Sequence, residues 1–231
     1  MADHPSGAIL QRDGKTYAIV TRIPAGLVAP SDLERIAWTA KKYHIPVVKI
    51  TSGLRIALVG IQKEDLDVIW QDLGQGIDEP AEPCVRYVQA CLGTESCKYG
   101  VQDSLGLGKE IEERFRTFQG PAKLKMGVSG CLRCCAESYL RDIGIVGTNR
   151  GWTVIFGGNS GRRPRIGDIV ARDLSKNDAL DLVQRLLEYY RKNAQPKERT
   201  ARFLGRIGLD MLKSELLILL PYISLEDATP E

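Results

Sequence analysis

Histidine is scarce in this chain of 231 residues, which contains only two, His4 and His44. Histidine is the common general base of hydrolases and a common haem ligand, so the sequence gives little support to chemistry that depends on it. No apolar run reaches the 18 residues of a membrane span, and the best candidate, 216–223, is interrupted by Pro221. The net charge of +3 is too small to predict nucleic-acid binding.

Export and dinucleotide signals are also missing. The chain begins Met-Ala-Asp-His-Pro, without a basic segment followed by an apolar run, so we expect a cytoplasmic protein with reduced thiols rather than disulfides. The glycine-rich segment 157–161 follows a predicted strand but opens no helix. A nicotinamide or flavin site is therefore not expected, and electrons would have to come from a separate donor.

The N-terminal third predicts an α+β unit. Apolar alternation and helical periodicity give the order strand, helix, strand, helix, which is typical of a ferredoxin-like unit. The predicted strands cover 15–22 and 46–59, and the predicted helices cover 33–43 and 63–73. Residues 74–84 contain glycine and proline and are interpreted as a linker, so we place this half-domain at 1–75.

The remainder, 76–231, predicts a second and larger α/β domain with C-terminal helices. A short strand over 124–128 leads directly into Ser-Gly-Cys at 129–131, where glycine permits close approach of the backbone to a cofactor. Further elements are helices over 103–118, 136–141, 178–193 and 197–212, and strands over 144–147 and 151–158.

Five of the six cysteines fall in two tight groups within this second domain. Cys91 and Cys97 are followed after 33 residues by Cys131, Cys134 and Cys135. Two such groups can present four thiolates to a [4Fe–4S] cluster, which is our preferred interpretation. Structural zinc usually uses shorter Cys-x2–4-Cys spacing, and buried free thiols are common, so zinc and plain packing stay open as alternatives.

The residues around the cysteines resemble the nitrite/sulfite reductase family, in which sirohaem is coupled to a [4Fe–4S] cluster. The family pattern Cys-x5-Cys and Cys-x3-Cys is matched in full, and the similar segments are 90–104, 123–137, 157–159 and 164–165. The resemblance covers roughly 45–215. Full-length members contain two such units and this chain has room for one, and Cys134 stands where the family often has Asn or Gly.

The resemblance implies the cofactor ligands. The cluster would be bound by Cys91, Cys97, Cys131 and Cys135, and Cys135 would also be the axial ligand of the sirohaem iron. Sirohaem carries eight carboxylates, which suit the bidentate guanidinium of arginine. The implied contacts to these carboxylates are Arg133, Asn159, Arg162, Arg163 and Arg165. An exposed basic hairpin is the alternative interpretation of the 157–165 segment.

Four basic residues resemble the set that faces the small oxyanion substrate in the family. They are Arg55, Arg86, Lys123 and Lys125. We expect Arg55 on a strand, and both lysines on one side of the strand that leads to Cys131. They would offset the charge of the anion and supply protons. The alternatives are solvated arginines and ordinary lysines of an edge strand.

The resemblance implies an oxidoreductase that carries out the six-electron reduction of sulfite to sulfide or of nitrite to ammonia. A separate electron-donor protein would supply the electrons, and a homo-oligomer would cover the large cofactor. The sequence does not choose between sulfite and nitrite. An iron–sulfur electron-transfer or binding module without reductase activity is the first alternative, and a zinc-structured interaction protein is the second.

Overall fold

The computed structural model describes residues 7–74 and 85–219, apart from the side chains of Arg86 and of 217–219. The chain divides into two compact units, 1–80 and 81–231. The predicted boundary between residues 75 and 76 lies five residues before this division. This boundary, Cys84 and all of the predicted linker except residue 74 lie outside the described residues.

The first unit is a four-stranded antiparallel sheet in the order β1-β2-β4-β3. Its strands are β1 (Ala8–Leu10), β2 (Tyr17–Val20), β3 (Val47–Ile50) and β4 (Ile56–Ile61), and its helices are α1 (Pro30–Lys42) and α2 (Leu66–Leu73). The helices bury their apolar stripes against the sheet, for example Ile36 and Ile69 near Leu58. The predicted ferredoxin-like α+β unit is confirmed.

The predicted strand over 46–59 is wrong in one respect, because it is a hairpin of β3 and β4. The chain turns at Thr51, whose N–H donates to the Arg55 carbonyl at 2.8 Å, and Leu54 adopts a positive φ of 58°. Apolar residues continue on both sides of the turn, so alternation alone did not reveal it. Arg55 therefore lies in the turn rather than in a strand.

The second unit is a five-stranded mixed sheet in the order β5-β6-β7-β8-β9, in which the first three strands are parallel. The strands are β5 (Val85–Ala90), β6 (Leu124–Ser129), β7 (Ile143–Thr148), β8 (Gly151–Phe156) and β9 (Asp168–Leu174). The helices are α3 (Ser104–Phe115), α4 (Lys176–Asn193), α5 (Thr200–Ile207) and α6 (Leu209–Leu219).

Three local predictions for this unit need correction. The predicted helix over 136–141 is only a 3-10 turn at Ser138–Leu140. The predicted C-terminal helix is interrupted at Gly208, where a φ of 84° ends α5 before α6 begins. Strands β5 and β9 were not predicted. In β9, charged residues among the apolar ones obscure the alternation.

The two faces of the second sheet differ, and this difference positions the site. Along β6, Leu124, Met126 and Val128 join the core beneath the helices. The alternate residues Lys125, Gly127 and Ser129 point to the opposite face because side chains alternate along a strand. Residues 131–142 cross this second face on their way from β6 to β7.

Among the described residues, the helices are too short or too polar to cross a membrane.

Candidate functional site

The two cysteine groups meet at one end of the second sheet. Strands β5 and β6 are parallel neighbours, with Ala90 opposite Val128, so both deliver their next residues to the same edge. The N–H of Cys91 donates to the Val128 carbonyl at 3.1 Å, and the N–H of Gly130 donates to the Cys91 sulfur at 3.1 Å. The structure thus brings Cys91 beside the segment that carries Cys131.

Glycines hold the loop of Cys97 against the same segment. The N–H of Cys97 donates to the Gly93 carbonyl at 3.0 Å, and a Cβ added to Gly130 would lie 2.7 Å from the Gly93 Cα. Val101 N–H also donates to the Gly130 carbonyl, at 2.9 Å. The two loops are in backbone contact, which only residues without side chains allow.

Cys135 is placed by a reversal of the chain over β6. The N–H of Ala136 donates to Ser129 Oγ at 3.1 Å, and Ser138 Oγ lies 2.9 Å from the same oxygen. A Cβ on Gly127 would come within 2.8 Å of the Ala136 carbonyl, so the missing side chain leaves room for this segment. Cys135 itself is exposed.

All five described cysteines are free thiols. Cys91, Cys97, Cys131 and Cys134 are partly buried, and Cys134 has a φ of 54°. Within 7–74 and 85–219, no three His, Cys, Asp or Glu side chains are grouped so that they could share a single metal ion. A [4Fe–4S] cluster differs in that four cysteines are distributed over its irons.

The basic segment 157–167 lies on the same face, next to the segment of Cys135. The N–H of Gly167 donates to the Tyr139 carbonyl at 2.8 Å. The segment is closed by paired backbone hydrogen bonds between Asn159 and Arg165. Its start is fixed by the Gly157 N–H, which donates to the Asp142 carbonyl at 3.0 Å.

Two predicted sirohaem contacts are engaged within this segment. The Asn159 amide donates to the Arg163 carbonyl at 2.7 Å and accepts from the Gly161 N–H at 3.1 Å. Arg165 forms an ion pair with Asp168 at 2.6 Å and donates to the Gly157 carbonyl at 3.0 Å. Both side chains therefore order the loop, a function that the sequence analysis did not predict.

The other predicted sirohaem contacts are exposed cations. Arg162 and Arg163 lie at the tip of the basic segment, and in the described part of the chain their side chains have no ion pair. Arg133 lies across the Tyr99 ring, with its guanidinium carbon 3.7 Å from the ring centroid. This contact joins the loop after Cys97 to the loop after Cys131.

The predicted substrate-facing residues are divided between the two units. Arg86 lies in β5, but its side chain is outside the described residues. Lys125 shares the face of Gly127 and Ser129, about 13 Å along the strand from Ser129, and its Nζ lies 5.7 Å from the Tyr87 ring centroid. Lys123 precedes β6 and is exposed. Arg55 belongs to the first unit, so the second unit contains only three of these four residues.

Two residues at the site were missed by the sequence analysis. Ser104 is fully buried, and its Oγ lies 3.2 Å from the Cys91 sulfur. Asp142 is 2 % exposed and accepts hydrogen bonds from Arg199, Thr200 and the Lys125 N–H. Asp103-Ser104 is a recognisable helix start, but nothing in the sequence indicated that it lies beside a cysteine.

The comparisons with known proteins follow the same division into two units. Residues 81–221 match the family described as the nitrite and sulphite reductase 4Fe-4S domain. Residues 9–76 match the nitrite/sulfite reductase ferredoxin-like half domain.

Two relatives of the chain differ greatly in length. An assimilatory-type sulfite reductase of Nitratidesulfovibrio vulgaris is 49% identical over 94% of this chain and 100% of its own length. A nitrite reductase [NAD(P)H] of Bacillus subtilis is 41% identical over 90% of this chain, which spans only 26% of that protein.

Solved structures share the fold at low sequence identity. The Mycobacterium tuberculosis NirA protein superposes with a TM-score of 0.79 at 17% identity, over 99% of this chain and 45% of its own. Dissimilatory sulfite reductase I gives 0.77 at 13% identity, over 93% and 70%. Taken with the matched domains and the full-length relative, the converging cysteine loops show that this chain belongs to the nitrite and sulphite reductase family.

Proposed function

We propose that this protein catalyses the six-electron reduction of sulfite to sulfide, with nitrite as a second substrate that would yield ammonia. One observation carries the proposal. The segment from Cys131 to Asp142 runs across the second face of the sheet, from the cysteine loops at one end to the basic segment 157–167 at the other. A thiolate site and a cationic surface are thereby joined on one face.

The side chains on this face fit a [4Fe–4S] cluster and a sirohaem. The four thiols of Cys91, Cys97, Cys131 and Cys135 lie on two loops in backbone contact. We assign the cluster to these thiols and the sirohaem iron to the exposed Cys135. Arg162 and Arg163 are exposed guanidiniums of the kind that bind carboxylates bidentately. Arg133, Asn159 and Arg165 would support this surface, the last two by shaping the loop.

When bound, the cluster supplies single electrons and the sirohaem iron supplies the position at which the anion is reduced. The protein has to hold a small anion there and deliver protons to its oxygen atoms. We assign this to Arg55, Arg86, Lys123 and Lys125. Ammonium and guanidinium groups attract the anion, and a lysine among other cations can act as an acid near neutral pH.

Sulfite is the preferred substrate because the sulfite reductase relative matches along its whole length. The matched nitrite reductases are much longer, and this chain spans 26% of the Bacillus subtilis protein and 25% of the Escherichia coli one. We further propose a separate electron-donor protein, a cytoplasmic location and a homo-oligomer. Five free thiols support a reducing compartment.

The test is anaerobic purification followed by quantification of iron, acid-labile sulfide and extractable sirohaem. We expect four irons of the cluster and one sirohaem per chain, an absorption band that shifts when sulfite is added, and sulfide production with reduced viologen. A protein that contains the cluster but no tetrapyrrole would refute the reductase and favour an electron-transfer module. Parallel assays with nitrite would test the order of substrate preference.

A further inference from the structure

We propose that Ser104 tunes the reduction potential of the cluster by donating a hydrogen bond to the sulfur of Cys91. The inference rests on the proposed function, since it takes Cys91 as a cluster ligand. Ser104 is the first residue of α3 and is 0% exposed. Its Oγ lies 3.2 Å from the Cys91 sulfur and 2.9 Å from the Cys91 carbonyl oxygen.

The hydroxyl of Ser104 has one proton and two acceptors within reach. Without a cluster the carbonyl oxygen is the better acceptor, at 2.9 Å. A cluster-bound Cys91 carries negative charge on its sulfur, and a charged acceptor forms the stronger hydrogen bond. The proton then turns toward the sulfur by rotation about the Cβ–Oγ bond, and no heavy atom has to move.

The surroundings keep this hydroxyl in place. A Cβ added to Gly93 or Gly130 would lie 2.5 or 2.8 Å from the Ser104 Oγ, so glycine backbones enclose it. Asp103 caps α3 by accepting from the Gly106 N–H at 2.8 Å, which fixes the first turn. Ser104 is therefore a positioning residue with its hydroxyl shielded from water.

The expected consequence is a higher reduction potential. Reduction adds an electron to the cluster, and a donor beside a ligand sulfur stabilises the more negative state. The Gly130 N–H, at 3.1 Å, already acts in this way on the same sulfur. Two donors, the Ser104 hydroxyl and the Gly130 N–H, therefore lie within hydrogen-bonding distance of the Cys91 sulfur.

The test compares Ser104→Ala with wild type as anaerobic holoproteins, using a redox titration followed by electron paramagnetic resonance. We expect the midpoint potential to move to a more negative value while the iron and sulfide contents stay the same. Ser175→Ala is the matched control, because it removes a hydroxyl at the start of α4, far from any cysteine in sequence. An unshifted potential in Ser104→Ala, or an equal shift in Ser175→Ala, would overturn the proposal.

If Ser104→Ala does not bind the cluster, the wild-type protein decides the matter. We expect its Fe–S(Cys) stretching bands in resonance Raman spectra to move immediately after H2O is replaced by D2O, because a hydroxyl exchanges its proton faster than a backbone amide such as the Gly130 N–H. Bands that do not move at this early stage would contradict the hydrogen bond from Ser104. A wild-type protein without any cluster would refute the proposed function and this inference together. A loaded wild type with an unshifted variant would refute the inference alone.

Discussion

Replacing Asp142 by Asn is expected to destabilise the second unit by about 2–3 kcal/mol. Asp142 precedes β7 and is 2 % exposed. Its carboxylate accepts from Arg199 Nη2 at 2.6 Å, Thr200 Oγ1 at 2.6 Å and the Lys125 N–H at 2.9 Å. Its own carbonyl accepts from the N–H of Gly157. One carboxylate thus ties α5 to the sheet at the point where the basic segment begins.

The magnitude follows from what the amide cannot do. Breaking a buried ion pair typically costs about 3–5 kcal/mol because one charge is left uncompensated. Here the Arg199 side chain is 31% exposed, so water can replace part of the interaction. The Asn amide also retains one acceptor oxygen, but its NH2 group would face an N–H donor. Both considerations place the cost near or just below the lower end of that range.

The assay is thermal unfolding of the anaerobic holoprotein at a fixed scan rate. For a chain of this size, 2–3 kcal/mol corresponds to a Tm decrease of roughly 5–10 °C. Asp173→Asn is the control, because Asp173 makes an exposed ion pair with Arg150 at 3.2 Å, and we expect a change of at most about 0.5 kcal/mol. Equal Tm values for Asp142→Asn and wild type would refute the reasoning.

Three further predictions address the loops and the acid stability of the fold. Cys131→Ser should lose the cluster iron. Cys134→Asn should keep the iron and be at least as stable as wild type, since Asn tolerates the φ of 54° at position 134. Loss of iron in Cys134→Asn would identify Cys134 as a cluster ligand. Gly130→Ala should disrupt the backbone contact between the two cysteine loops and lower the Tm and the iron content. Gly205→Ala, which has nothing within 4 Å of the added Cβ, should stabilise α5 by about 0.5–1 kcal/mol. Similar changes of Tm in the two variants would contradict the packing argument. The hydrogen bond from Arg206 lowers the pKa of Glu198 in the folded protein. As the pH falls, the Glu198 carboxylate is therefore protonated first in the unfolded chain, and the stability of the fold decreases below about pH 4.3. Glu198→Gln should flatten the loss of Tm between about pH 5 and pH 3, and an unchanged slope would reject the assignment.

The sequence was most informative where spacing and periodicity carry the signal. The two cysteine groups predicted a shared site because the short spacing within each group does not depend on how the intervening 33 residues fold. Helices with a clear apolar stripe, such as 178–193, were predicted close to their observed bounds. The hairpin at Arg55 was missed because a run of apolar residues on both sides of a short turn reads as one strand.

The amino-acid sequence by itself determined the class of fold and the cysteine and glycine pattern of the site, because residue spacing and apolar periodicity are local properties of the chain. Tertiary structure alone decided which groups meet. The parallel pairing of β5 and β6 places Gly130 and Ser104 around the Cys91 sulfur. The reversal after Cys131 carries Cys135 over the second face of the sheet toward the basic segment. These neighbours are distant in sequence, and only the hydrogen bonds of the sheet and the close glycine contacts bring them together.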